Sequence, residues 1–216
     1  MKERTEAHFS AFFEQYPQLR GLESALRGGA KLLTDAFCGG GKVLVCGNGG
    51  SAADAEHAAG ELLKSFVLRR PVEGARREKL VELYGGEEGN RLADGMQQGL
   101  ACIPLTSFCA YNTAFLNDCN DEMLFAQLVN ALGKEGDVLW AFSTSGNSAN
   151  VLAAAKVARA LGMRVLAMTG SSGGKLRAWA DVLLNVPSDV VYRIQELHLP
   201  VYHILCLAAE SECFAL

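Results

Sequence analysis

Two short apolar runs, Val43–Cys46 and Val138–Phe142, each pass at once into a turn of small polar residues and then into an alanine-rich stretch with helical spacing. The turns read "CGNGGS" and "STSGNS". Few architectures accept that pattern. A strand followed directly by a helix needs a crossover before the next strand, and repeated right-handed crossovers build a parallel sheet with helices on both faces. Three more runs fit the scheme: 102–108, 164–168, which leads into "TG", and 181–186. Helices are expected over 51–66, 120–132, 148–161 and 189–214. In such a sheet ligands bind beyond the carboxyl ends of the strands, so both small-residue turns should face one crevice.

The 216 residues, half of them hydrophobic, suffice for one sizeable core, and no proline-rich or serine-rich linker divides them, so 1–216 is read as a single α/β domain. Residues 1–38 are expected to form N-terminal helices, with Pro17 opening the second and Gly39, Gly40 and Gly41 ending it. Residues 67–100 break the alternation. They are highly charged and punctuated by glycine, which predicts a helical insertion, either a solvated excursion or a lid or subunit contact. A net charge of -4 lacks the positive field that a nucleic-acid backbone requires, which argues against a nucleic-acid partner. The first twenty residues lack the apolar core of a signal peptide and no later run is long enough to cross a bilayer, so no membrane partner is expected and a cytoplasmic location is. The seven cysteines form no CxxC pair and sit mostly in apolar segments, which predicts free buried thiols.

The turn at 143–148 places Ser143, Thr144, Ser145 and Ser148 between a strand end and a helix start. Unpaired amides of a first helical turn attract an anion, and hydroxyls add neutral donors, a combination suited to a phosphate monoester. A helix cap needs only one such hydroxyl. The first turn also satisfies GxGxxA through Gly47, Gly49 and Ala52, which admits a dinucleotide. That reading needs a second strand ending in an acid about twenty residues on, whereas "VLRRP" follows here; Arg69 or Arg70 would have to serve a 2'-phosphate.

His57 and Glu61 lie one helical turn apart, so their side chains share a face and can converge on one ion or one proton. The last helix carries Gln195, His198 and His203 in "RIQELHLPVYH"; Gln195 sits about 60° from His198 and about 80° from His203 around the axis. Structural histidines are common, but three of the chain's four fall in these two segments.

Taken together, "CGNGGSAADAEHAAGEL", "STSGNSAN", "TGSSGGKL" and "RIQELHLPVYHI" resemble the sugar isomerase (SIS) domain family, in its phosphoheptose isomerase branch. The resemblance implies a flavodoxin-like sheet and a homotetramer with active sites at subunit contacts. It implies conversion of sedoheptulose 7-phosphate to D-glycero-D-manno-heptose 7-phosphate. It also implies one zinc per subunit on His57, Glu61, Gln195 and His203. The sugar phosphate would be held by Asn48, Gly49, Gly50, Ser51, Asn117, Asp118, Ser143, Thr144, Ser145, Ser148, Gln195 and Glu61. An enediol route needs a base near C1 and C2 and an acid at the oxygens, roles given to Glu61 and His203. A carboxylate fully committed to zinc is a poor base, so either Glu61 changes partner or the metal is structural. Asp118 has a second possible role, capping the helix after it. Pro200 lies inside the last helix, and Tyr192 stands where the family has an acid. The resemblance also extends to a replication-initiator-associating relative that is not catalytic; the presence of both Glu61 and His203 favours the enzyme.

Overall fold

The computed structural model describes residues 1–214. Its chain order is α1 (Glu3–Gln15), α2 (Glu23–Cys38), β1 (Val43–Cys46), α3 (Gly50–Leu63), α4 (Ala75–Gly95), β2 (Cys102–Pro104), α5 (Cys109–Asp118), α6 (Leu124–Leu132), β3 (Val138–Phe142), α7 (Ala149–Ala160), β4 (Arg164–Thr169), β5 (Val182–Asn185) and α8 (Val191–Cys213). Pro17 starts a 3-10 turn, Pro17–Leu22, that joins α1 to α2.

All five strands are parallel, in the order β2-β1-β3-β4-β5. This is the flavodoxin-like order, with its reversal of winding between β1 and β3. Every residue of β1 and β3 is buried, as an apolar run covered on both sides should be. Alternate side chains divide the core. Val43, Val45, Trp140, Phe142 and Met168 pack with Phe9, Leu33, Ala58, Val201 and Leu205, which puts α1, α2, α3 and α8 on one face. Leu44, Leu139, Ala141 and Val165 pack with Phe125, Val129, Ala154 and Ala158 of α6 and α7 on the other. The apolar α8 is therefore covered by its own chain. It runs unbroken through Pro200.

Several expectations need correction. The run at 102–108 is a strand only to Pro104, whose missing N–H suits the end of an edge strand; Leu105–Ser107 then turns as a 3-10 segment. The expected loop after it is α5, and the helix expected from 120 begins at Leu124 after a 3-10 turn at Asp121–Met123. No residue of α5 is buried, so no apolar stripe marked it in the sequence. Among the cysteines, Cys46, Cys102 and Cys206 are buried, but Cys38, Cys109 and Cys119 are exposed; all seven are free thiols.

The insertion is helical, as expected. Gly85 takes φ 81° and ψ 169° inside α4, which breaks the helix into two arms. They pack closely at Gly89, where a Cβ would fall 2.5 Å from the Val81 Cα. Arg77 ties the arms through Asn90 Oδ1 at 2.5 Å and through Asp94. Only Gly89 and Ala93 of α4 are buried. The root of the hairpin is different. Arg70 and Glu210 form an ion pair there with side-chain exposures of 0 % and 2 %.

Candidate active site in the groove between two helices

The turns after β1 and β3 flank the point where the winding of the sheet reverses, and they touch. Asn48 and Asn150 exchange amide hydrogen bonds of 2.9 and 3.0 Å. Gly49, at φ 57°, lets the chain leave β1 and enter α3. Ser148 occupies the cap position of α7, yet its hydroxyl makes no capping bond; it lies 3.0 Å from the Ser143 hydroxyl. Asn150 Oδ1 accepts from Val151 N at 2.9 Å, which leaves the Ala149 and Asn150 amides of the first turn of α7 without a side-chain cap among the described residues, and two hydroxyls are gathered beside them. Ser145 Oγ accepts from Asn147 N at 3.1 Å. The "TGSSGGKL" loop supports the turn: Gly170 N donates to the Thr144 carbonyl at 2.8 Å and Leu176 N to that of Gly146 at 2.9 Å. A hollow of about 490 Å³ opens beside both turns, lined by Asn48, Ser148, Asn150, Leu116, Asp121 and Glu122. Asn117 and Asp118 follow Leu116 on the exposed last turn of α5, with Asn117 Nδ2 donating to Asp118 Oδ1 at 2.8 Å. The cap expected of Asp118 belongs to Asn120, whose Oδ1 accepts from Glu122 N at 2.9 Å.

Both α3 and α8 follow strands of one parallel sheet and lie on the same face, so they run side by side in one direction. At the turn end, the Gln195 amide packs on Gly50, where a Cβ would lie 2.4 Å from its Nε2. Two turns further on, His57 Nε2 lies 3.1 Å from Glu61 Oε1, and ligand atoms of His57, Glu61 and His203 all fall within 4.8 Å of one another. His203 Nε2 is buried and has no hydrogen-bond partner among the described residues. Burial holds its pKa below the ordinary 6.5, the His57 charge adds to this and Glu61 opposes it. His198 turns the other way. It is buried with Nε2 3.3 Å from the Thr169 carbonyl, and burial pulls its pKa to about 4.

The SIS domain family model matches residues 11–76 and 103–170. A phosphoheptose isomerase from Thiobacillus denitrificans is 40% identical over 215 residues, covering 98% of this chain and 95% of the relative. One from Helicobacter hepaticus is 38% identical over 213 residues, covering 99% and 95%. The solved phosphoheptose isomerase of Neisseria gonorrhoeae superposes with a TM-score of 0.73 at 37% identity, covering 97% of this chain and 98% of that one. The chain belongs to the SIS domain family, among its phosphoheptose isomerases. The family model omits 77–102, most of the hairpin, although the alignments with both relatives run across it.

Two residues of this family member's groove were not marked by the sequence. Asp54 shares the α3 face of Gly50, His57 and Glu61; its Oδ2 is buried without a partner among the described residues, and burial raises its pKa to about 6 against the pull of His57. Its spacing from His57 and Glu61 could have revealed it. Tyr202, 1% exposed, places its hydroxyl 2.8 Å from His57 Nδ1, a contact between helices that no spacing rule foretells. Arg70 is unavailable to a 2'-phosphate because it is buried against Glu210. Tyr192, where the resemblance implied an acid, is exposed beneath the Arg193 guanidinium.

Proposed function

We infer that this enzyme interconverts sedoheptulose 7-phosphate and D-glycero-D-manno-heptose 7-phosphate. The observation that carries the reading is the meeting of His57, Glu61 and His203 in a groove whose other end is a turn rich in hydroxyls and backbone amides. The reading places the phosphate on Ser143, Thr144, Ser145 and Ser148, and the sugar's C1 and C2 beside Glu61.

In the ketose-to-aldose direction Glu61 takes a proton from C1, and the electron pair moves through the enediol. The same carboxyl returns a proton at C2. His203 gives a proton to O2 and accepts one from O1, so nothing is gained or lost overall. Gln195, Asn48, Asn117 and Asp118 orient the sugar hydroxyls. Two imidazoles and a carboxylate, one imidazole nitrogen buried and unpartnered, form a donor set that suits zinc. His57, Glu61 and His203 would hold it, with Gln195 as the fourth ligand that the resemblance implies. When bound it would supply Lewis acidity at the sugar oxygens or fix the side chains. Glu61 has an oxygen to spare: Oε1 faces His57, while Oε2 lies 3.6 Å from Lys64 Nζ.

A cytoplasmic homotetramer with sites at subunit contacts completes the proposal. No described helix is long and apolar enough to cross a membrane. The assay is turnover of sedoheptulose 7-phosphate beside fructose 6-phosphate and ribulose 5-phosphate. The seven-carbon substrate should have the highest kcat/KM; no isomerisation of any of the three would favour the non-catalytic, phosphosugar-binding reading.

A further inference from the structure

We propose that Tyr202 is a positioning residue that fixes the plane of the His57 imidazole, so that Nε2 faces Glu61 and His203. The inference concerns the same groove, and only its metal readout rests on the zinc reading above.

His57 needs such a partner. Its side chain, on α3, is 45% exposed. The outer torsion of a histidine has two broad wells, and a half-turn of the ring exchanges nitrogen for carbon at both edges. A neutral ring also places its proton on either nitrogen unless a hydrogen bond decides. Here both nitrogens have partners. Glu61, as a carboxylate, only accepts, so Nε2 at 3.1 Å must donate to it. Nδ1 is then the acceptor, and the Tyr202 hydroxyl at 2.8 Å is the donor. A flipped ring would face Tyr202 with a carbon and lose both bonds. A phenol hydroxyl also accepts, so it can receive Nδ1–H whenever Nε2 gives its lone pair to another atom.

Tyr202 is itself held firmly. Its ring meets the His203 ring edge-on, with centroids 4.8 Å apart and planes at 82°. It meets His57 at 5.4 Å and 69° and Phe142 at 6.1 Å and 65°. These contacts belong to the ring and not to the hydroxyl, so Tyr202→Phe keeps the packing and removes only the atom that faces Nδ1.

The test compares wild type, Tyr202→Phe and Tyr111→Phe. The last removes a hydroxyl that donates to the Leu124 carbonyl at 2.9 Å, on the opposite face of the sheet, and so controls for the loss of a hydrogen-bonded tyrosine hydroxyl. Histidine ring NMR spectra of metal-free protein at pH 8 should show one His57 ring orientation in wild type and Tyr111→Phe, and exchange between two orientations in Tyr202→Phe. Zinc affinity, by competition with a chromophoric chelator, should fall about 10- to 100-fold in Tyr202→Phe alone. A wild-type spectrum in which the His57 ring already exchanges between two orientations overturns the proposal without any variant. So does a Tyr202→Phe protein that keeps the wild-type His57 signal. If wild type binds no zinc, the metal reading fails and the ring spectra alone decide the role of Tyr202.

Discussion

Breaking the Arg70–Glu210 pair should be among the most damaging single changes outside the groove. Glu210 accepts from the backbone amides of Phe66, Val67 and Leu68 at 2.8, 2.9 and 3.0 Å. Arg70 Nε lies 2.9 Å from Glu210 Oε1 without pointing its N–H at it, while Nη1 and Nη2 donate to the carbonyls of Leu62 and Glu61 at 3.1 and 3.0 Å. The pair thus closes the end of α3, the strap leaving it and α8 into one unit. Removing one charge strands the other in the interior, at a cost of about 3 to 5 kcal/mol. With a urea m-value of about 2 kcal/mol per molar, the unfolding midpoint of Arg70→Met or Glu210→Gln should drop by roughly 2 M at fixed protein concentration. The double variant should lose much less than the two single losses added together, with a coupling above about 2 kcal/mol. Losses below about 1 kcal/mol in each single variant, or additive losses, would refute this account of the hairpin root.

His198 makes stability depend on pH. Its imidazole titrates at about 4 in the fold and at 6.5 when unfolded, so between those values the unfolded chain holds a proton that the folded one does not. Stability should be insensitive to this group above pH 6.5, fall as the pH drops below it, and lose about 3 kcal/mol by pH 4. His198→Phe should flatten that slope in urea melts, and an unchanged slope would remove His198 from the explanation. Ser143→Ala with Ser148→Ala should raise KM about tenfold and leave kcat nearly unchanged, because these hydroxyls bind the non-reacting phosphate; a loss confined to kcat would contradict that. Elemental mass spectrometry should find about one zinc per chain in protein supplied with the metal and little in His57→Ala, whereas zinc-free wild type would defeat the metal assignment.

Much of the fold was legible because it follows from local pattern. Val43–Cys46 and Val138–Phe142 are continuous apolar runs, and the turns after them are built from residues that open helices. What escaped depended on context. The helix α5 has no fully buried residue and packs only Tyr111 and Phe115 partly against the core, so periodicity had little stripe to detect. Ser148 stands where a cap would, but its pairing with Ser143 depends on how the turn folds back. In the groove, the spacing of His57 and Glu61 placed them on one face, and convergence with His203 followed once α3 and α8 lay side by side. The separate burial of His198 could not be read from angular position alone, since Thr169 and Phe142 belong to distant strands. Tyr202 went unmarked for the same reason: its partner lies 145 positions away.

The most direct measurement of the central claim is paired calorimetry and turnover on Glu61→Gln. The account predicts binding of sedoheptulose 7-phosphate within a few-fold of wild type, because the phosphate turns are untouched, and a fall in kcat of about 100-fold or more. Turnover within twofold of wild type would show that the chemistry is carried elsewhere.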